Sequence, residues 1–263
     1  MSRTSRMAPW LAELMNLLND GCSKSPFVRN LDQSESTLST GKELCQTLWP
    51  FISSLPGNVK RVREKLPESM IYTKQLFDHL SDAEFYYQGL YLKQCLIAGV
   101  SRADLDNSIP DKNTTFLCLL MEDYCMKGDY MDGVMAIVTA ELAATTFARH
   151  SYPQFERFFV ANPPDKNIVT VEDGLAWLKL HAKPNLRHAM WMKQTVDHLP
   201  VDPPNKMPEQ VETLLKAIHG FWRCSEVDKT KVEARTIDFQ PEPKSSTQNQ
   251  IQALAPEKQH CAT

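Results

Sequence analysis

Apolar side chains recur at intervals of three and four residues along most of the chain, which is the spacing of amphipathic helices. No stretch of useful length alternates apolar and polar residues as a half-buried strand does. The pattern predicts eight helical segments, around 10–18, 44–55, 67–98, 114–127, 132–150, 154–160, 171–199 and 209–223. We therefore predict an all-α domain, a single bundle of seven or eight helices.

Proline, glycine and capping residues mark the expected ends of these helices. Pro50 predicts a break or kink, and the Pro-Gly-Asn sequence at 56–58 predicts a turn. Gly99 suits the position just after a helix C-terminus, and the segment 101–104, Ser-Arg-Ala-Asp, resembles a capping box that opens a short helix. The long alanine-rich helix is expected to end before Pro153.

The composition changes near residue 226. Beyond it proline, glutamine, serine, threonine and lysine dominate and aromatic residues become scarce. Such a segment cannot bury enough apolar surface to offset the entropy lost on folding. We therefore predict one helical domain over 1–225 and a disordered C-terminal tail over 226–263.

Charge and cysteine content exclude several classes of protein. The 29 basic and 32 acidic residues leave a net charge of −3, which gives no electrostatic basis for binding nucleic acid. No apolar run reaches the roughly 20 residues that span a bilayer, so we expect no membrane association. The seven cysteines are scattered without a Cys-x-x-Cys pair, which favours a reduced, cytoplasmic protein over a disulfide scaffold.

The strongest pattern with chemical potential is His181-x-x-x-Asn185-x-x-His188. If the predicted helix over 171–199 runs through Pro184, residues seven apart lie on nearly the same face, with Asn185 between them. Two imidazoles and an amide oxygen would then converge on a metal or a substrate. Histidines at this spacing also occur often by chance, so the spacing alone favours a structural role.

Two acidic residues lie in unusual sequence surroundings. Glu141 interrupts an apolar and small-residue run, so its carboxylate either reaches solvent at an edge or points into a polar cavity. Glu84 precedes several aromatic residues on the helix predicted over 67–98. Taken alone, Glu84 is more simply explained as an exposed charge beside core aromatics.

The order of these features resembles the haem-oxygenase-like helical superfamily. A Glu-bearing helix ends in GVSRADL, a small-residue helix with an embedded Glu follows, then HxxxNxxH, and last a helix with LLKAIHGFW. The resemblance covers roughly residues 20–225. It is greatest to the branch that holds PQQ-synthase-C-like proteins and non-haem di-iron oxidases, and thiaminase-II-like (TenA-like) proteins are more distant.

The resemblance implies a metal site. In the di-iron members, histidines and carboxylates of the bundle bind two irons that activate O₂, and here Glu84 and Glu141 match two of the carboxylates. His181 and His188 match the histidines of the family's HxxxDxxH motif, whereas Asn185 replaces its aspartate and removes one negative charge. A histidine expected on the first of these helices is also missing, and three side chains stand near its place: Tyr87, Gln88 and Tyr91. One or two irons, or none, are compatible with this set.

The resemblance therefore implies an oxidoreductase that oxidises a small organic metabolite with O₂ in a pocket inside the bundle. In a metal-free form, as in PQQ-synthase-like members, the candidate catalytic side chains are Tyr87, Tyr91 and Lys183. The candidate substrate-binding side chains are Gln88, Arg149 and Tyr152. Because many proteins of this fold dimerise, a homodimer is compatible with the resemblance.

Two alternatives stay open at this stage. A thiaminase-II-like hydrolase or transferase acting on a pyrimidine-like metabolite would need a cysteine nucleophile, for which Cys118 and Cys125 are candidates outside that branch's cysteine motif. A non-catalytic ligand-binding protein with a degenerate metal site would explain Asn185 and the missing histidine.

Overall fold

The predicted helical pattern is confirmed by a computed structural model, which describes residues 8–30, 37–164, 169–183, 187–197, 199 and 206–222. Within these residues the chain forms eleven helices and no strand. They are α1 (Pro9–Lys24), α2 (Pro26–Asn30), α3 (Thr37–Lys65), α4 (Ile71–Ile97), α5 (Arg102–Asp106), α6 (Lys112–Met126), α7 (Tyr130–Ala161), α8 (Val171–Gly174), α9 (Ala176–His181), α10 (Arg187–Asp197) and α11 (Glu209–Phe221). Seven of them have eleven residues or more, in agreement with the predicted number.

All eleven helices lie in one compact unit, Met1–Val227. The predicted tail, 226–263, lies outside the described residues, so its disorder stays a prediction.

Helix α7 forms the centre of the bundle. It packs against α1, α3, α6, α9, α10 and α11, and nearly every side chain from Gly133 to Ala143 is buried. By length and composition α7 is the one helix of the described chain that meets the criterion for crossing a membrane, but 78% of its most apolar window is buried inside the domain. A helix that is apolar on all sides is expected at the centre of a bundle.

Prolines interrupt the helices less than the sequence predicts. Helix α3 runs through Pro50 and Pro56, so the turn predicted at 56–58 is wrong. Ser53 and Ser54 between them donate to the carbonyls of residues 50 and 51, at 3.1 and 2.9 Å, and so add local hydrogen bonds to the helix. Helix α7 likewise continues through Pro153. In both helices apolar side chains beyond the proline are buried, which offsets the roughly 3 kcal/mol that an internal proline costs.

The helix predicted from 171 to 199 is divided into α8, α9 and α10. Helix α9 ends at His181, and Lys183 lies outside any helix. The following Pro184 supplies the reason, because a proline disfavours helical geometry in the residue before it. The prediction that one helix carries both histidines is therefore wrong: His181 closes α9, whereas His188 lies at the start of α10.

The predicted end of α4 is confirmed in detail. Gly99 adopts φ of +74°, and the amides of Gly99 and Val100 donate to the carbonyls of Leu96 and Cys95 at 3.0 and 2.9 Å. This paired arrangement is a Schellman motif, in which glycine avoids the strain of a left-handed backbone. The capping box predicted at 101–104 also forms and opens α5.

Candidate functional site

Two carboxyl groups meet in the interior of the bundle. Glu84 of α4 and Glu141 of α7 are only 5% and 2% exposed, and their side chains are hydrogen bonded to each other. Burial, then the charge of Glu141, then this hydrogen bond raise the pKa of Glu84 well above its ordinary value. Since a carboxylate can only accept, one of the two groups carries a proton that it donates to the other. The prediction that Glu141 points into a polar interior is the one that this geometry favours.

His181 is a buried imidazole with a defined orientation. Its ring is 3% exposed, stacks on Trp177 with centroids 4.2 Å apart, and meets the edge of Tyr87 at 5.1 Å. Its Nδ1 lies 2.8 Å from the Trp177 carbonyl oxygen. Because a carbonyl only accepts, the proton is assigned to Nδ1, so the neutral ring carries its lone pair on Nε2.

Tyr87 contacts the imidazole of His181 and lies on α4, the helix that also carries Glu84. It follows Glu84 by three residues on α4, a spacing that places both side chains on one helix face. The structure thus brings together two pairs of the predicted site residues, Glu84 with Glu141 and Tyr87 with His181.

Tyr91 is directed elsewhere. It is fully buried, and its hydroxyl donates to the carbonyls of Leu44 and Cys45 in α3, at 3.4 and 3.3 Å. Its ring meets the edge of Trp177 at 5.4 Å. Burial also raises the pKa of Tyr91 well above its ordinary value. These contacts hold α3 and α4 together, so the tyrosine is positioned as a structural group.

Of the remaining predicted substrate-binding and catalytic side chains, Gln88 stands one turn after Glu84 on α4, and the other three are Arg149, Tyr152 and Lys183. Arg149 is exposed, and the Tyr152 hydroxyl donates to Glu156 at 2.5 Å. Because eleven residues of α7 separate Tyr152 from Glu141, the two lie ~16 Å apart along the helix axis. Burial and Glu156 raise the pKa of Tyr152 to about 12. Gln88 is half-buried on α4, and Lys183 is exposed after α9.

Asn185 and the side chain of His188 lie outside the described residues. Among the side chains that are described, no three or more of His, Cys, Asp and Glu form a group that could hold a metal ion. Glu84, Glu141 and His181 are all described, so these three side chains alone do not form such a group. An iron site would need His188 and Asn185 as well, and it stays a prediction.

The cysteines proposed as nucleophiles are neutral thiols. Burial raises the pKa of both Cys118 and Cys125, on α6, to about 12. The thiolate is the reactive form of cysteine, and it is favoured by exposure and nearby positive charge rather than by burial. Neither residue is therefore activated as a thiaminase-type nucleophile would be.

A small apolar cavity borders Trp177, the residue that stacks on His181, and no sequence pattern predicted it. It measures about 40 Å³, and all its lining residues in the described chain are alanine, leucine, isoleucine, phenylalanine or tryptophan. Trp177 and three alanines of α7 contribute to its wall: Ala140, Ala143 and Ala144. The small-residue run around Glu141 was the available signal, but spacing alone does not distinguish a cavity from close helix packing.

Comparison with known proteins identifies the fold. The sequence matches no protein-family model and no curated protein. Among solved structures, a TenA homologue from Pseudomonas syringae pv. tomato str. DC3000 aligns with a TM-score of 0.65 at 12% identity, over 85% of this chain and 94% of that one. A TenA homologue from P. horikoshii OT3 gives a TM-score of 0.61 at 15% identity, over 81% and 96%. The predicted haem-oxygenase-like fold is confirmed in its TenA-like form, whereas the PQQ-synthase-C-like branch gains no support.

Proposed function

We propose that this protein is an oxidoreductase that oxidises a small organic metabolite with O₂, and that iron is held by the ligand set that the resemblance implies, Glu84, Glu141, His181 and His188 with Asn185. The observation that supports the proposal is the buried pair of hydrogen-bonded carboxyl groups. Two buried acids are costly unless they share a proton or bind a cation. Because packing alone does not repay this cost, the buried pair favours a functional role for the two carboxyl groups.

The donor set suits iron. Carboxylate oxygens together with an imidazole nitrogen are typical ligands of non-haem iron in helical bundles. Because Nδ1 faces the Trp177 carbonyl, Nε2 is the nitrogen of His181 that would have to coordinate a metal. Such an outer hydrogen bond fixes the ring of a metal-binding histidine. His188 and Asn185 complete the proposed set, and iron, when bound, supplies the activation of O₂.

The chain's own residues have defined tasks in this proposal. The carboxyl pair can hold one proton between its oxygens, and this proton would be released if a cation bound there. Trp177 and Tyr87 hold the His181 ring from two sides, at 4.2 and 5.1 Å between centroids. The burial of the three described ligand candidates keeps bulk water away from them.

The test is the iron content of the purified protein after anaerobic loading with ferrous iron. We expect one or two irons per chain in the wild type and a loss of iron in Glu141→Gln and His181→Ala. Glu64→Gln, which alters an exposed carboxylate on α3, is the matched control and should load as the wild type does. Circular dichroism verifies that each variant is folded. Retention of iron by both site variants would contradict the ligand assignment.

A metal-free ligand-binding protein is the second candidate. Tyr91 is one of three side chains near the place of the family's missing histidine, and its hydroxyl donates to the backbone of α3. Tyr91 is therefore engaged elsewhere and does not stand in for that histidine, which favours this candidate. A wild-type protein that binds no divalent metal but retains ligand binding would favour this function.

The thiaminase-II-like alternative is disfavoured by the neutral thiols on α6. Loss of a pyrimidine-cleaving activity on treatment with iodoacetamide would restore it. The proposal also includes a small-molecule substrate and a cytoplasmic location, in keeping with the free cysteines of the described chain. A homodimer stays a prediction.

A further inference from the structure

The apolar cavity is too small for an organic substrate. Pockets that hold drug-sized ligands typically measure 300–1,000 Å³, whereas this cavity measures about 40 Å³. It exceeds the roughly 10–15 Å³ that one water molecule needs. A buried water also requires two or more polar partners, and the described wall consists of apolar side chains. The cavity therefore suits a small apolar molecule.

The cavity lies next to the candidate site. Trp177 forms part of its wall and stacks on His181 with centroids 4.2 Å apart, so one indole ring separates the cavity from the imidazole. On α7 the wall residues Ala140 and Ala144 stand directly before and three residues after Glu141. A molecule held in the cavity is thus one side chain away from His181, beside the stretch of α7 that carries Glu141.

We propose that this cavity is a binding site for molecular oxygen, from which O₂ reaches the bundle interior beside His181. This inference rests on the proposed oxidase function for the fate of the gas, but not for its binding. Dioxygen is an apolar diatomic molecule, so it partitions from water into a pocket whose wall consists of apolar side chains. Methyl groups of alanine leave the space that longer side chains on α7 would occupy.

The test uses the paramagnetism of O₂ and needs neither metal nor activity. Wild-type protein labelled with ¹³C in the alanine methyl groups is measured by NMR under nitrogen and then under oxygen pressure. The methyl groups of Ala140, Ala143 and Ala144 should relax several-fold faster under oxygen than those of Ala136 and Ala148. These two alanines lie on the same helix and are fully buried, but they do not line the cavity. Equal enhancement at all five would overturn the inference.

A cavity-filling variant gives a second arm. Ala144→Val adds two methyl groups to the wall and should abolish the oxygen-dependent relaxation at Ala140 and Ala143 while leaving Ala136 unchanged. In iron-loaded protein the same variant should raise the KM for O₂ with little change in the KM for the organic substrate. An enhancement that persists in the folded variant, or an unchanged KM for O₂, would overturn the inference.

The two proposals fail in different ways. Failure of the oxidase proposal is a loss of iron binding or activity while the wild-type relaxation pattern remains. Failure of the oxygen site is a uniform relaxation pattern, whatever the iron content is. If Ala144→Val does not fold, the methyl relaxation rates of the five alanines in the wild-type protein still decide whether the cavity binds O₂.

Discussion

The shared proton of the carboxyl pair predicts how the stability of the metal-free protein changes with pH. In the folded state burial and Glu141 raise the pKa of Glu84 well above 4.5, the value that an unperturbed glutamic acid has. The folded state therefore binds more protons than the unfolded state once the pH exceeds 4.5. By linkage the free energy of unfolding then falls as the pH rises.

The magnitude follows from one proton. A difference of one bound proton changes the free energy of unfolding by about 1.4 kcal/mol per pH unit. Between pH 6 and pH 8 the wild type should thus lose up to about 2.7 kcal/mol relative to Glu84→Gln, as long as the pair keeps its proton. Glutamine cannot titrate, yet its amide can still donate to Glu141, so the variant keeps the contact and loses the proton.

Urea unfolding of metal-free protein at pH 6, 7 and 8 measures the difference. The wild-type midpoint should fall relative to that of Glu84→Gln by about 1 M over this range, for a slope of 2–3 kcal/mol per M. Glu64→Gln, an exposed carboxylate, should follow the wild type at every pH. Midpoints of wild type and Glu84→Gln that change in parallel with pH would refute the shared proton.

Three further predictions concern the stability of the folded protein. A Cβ at Gly174 would lie 2.3 Å from the side chain of Ile97, so Gly174→Ala should lower the free energy of unfolding by roughly 1–3 kcal/mol. At Gly57, where no described atom lies within 4 Å of an added Cβ, alanine should instead raise it by about 0.5–1 kcal/mol, and equal effects at the two positions would contradict the packing. Lys65 donates to the carbonyls of Met126 and Gly128 at the end of α6, at 2.5 and 2.7 Å, so Lys65→Met should lower the free energy of unfolding by about 1–3 kcal/mol. Urea unfolding measures the effect of all three substitutions. If Lys65→Met left the free energy of unfolding unchanged, the stabilising role of the Lys65 hydrogen bonds would be refuted.

Helix α4 illustrates why the carboxyl pair could be only partly predicted from the sequence. The helix itself follows from its apolar content and from Gly99, but its buried face includes Glu84 and Gln94. Phe85 and Tyr86, by contrast, are 63% and 64% exposed. A pattern argument assigns the aromatic residues to the core and the glutamate to solvent, and here both assignments are reversed. Tertiary packing decides which face of such a helix is buried, and the residue pattern of the helix alone does not reveal that face.

For Glu141 the sequence leaves two environments, a solvent-exposed edge or a polar cavity, and the packing of α7 decides between them. The neighbours of Glu141 are apolar or small over several turns, so every face of the helix is buried and the carboxyl group has no route to solvent. The partner that neutralises it comes from α4, more than fifty residues earlier in the chain. Periodicity reports the environment of one helix, not the identity of a residue that faces it from another.

The histidine motif shows how a correct choice of residue can rest on a wrong geometry. The argument from seven-residue spacing required a continuous helix, yet α9 ends at His181 and α10 begins at Arg187. His181 is nevertheless buried against Tyr87, and its orientation is set within α9 by the Trp177 carbonyl four residues earlier. The two histidines are therefore positioned independently, one by the end of α9 and the other by the start of α10.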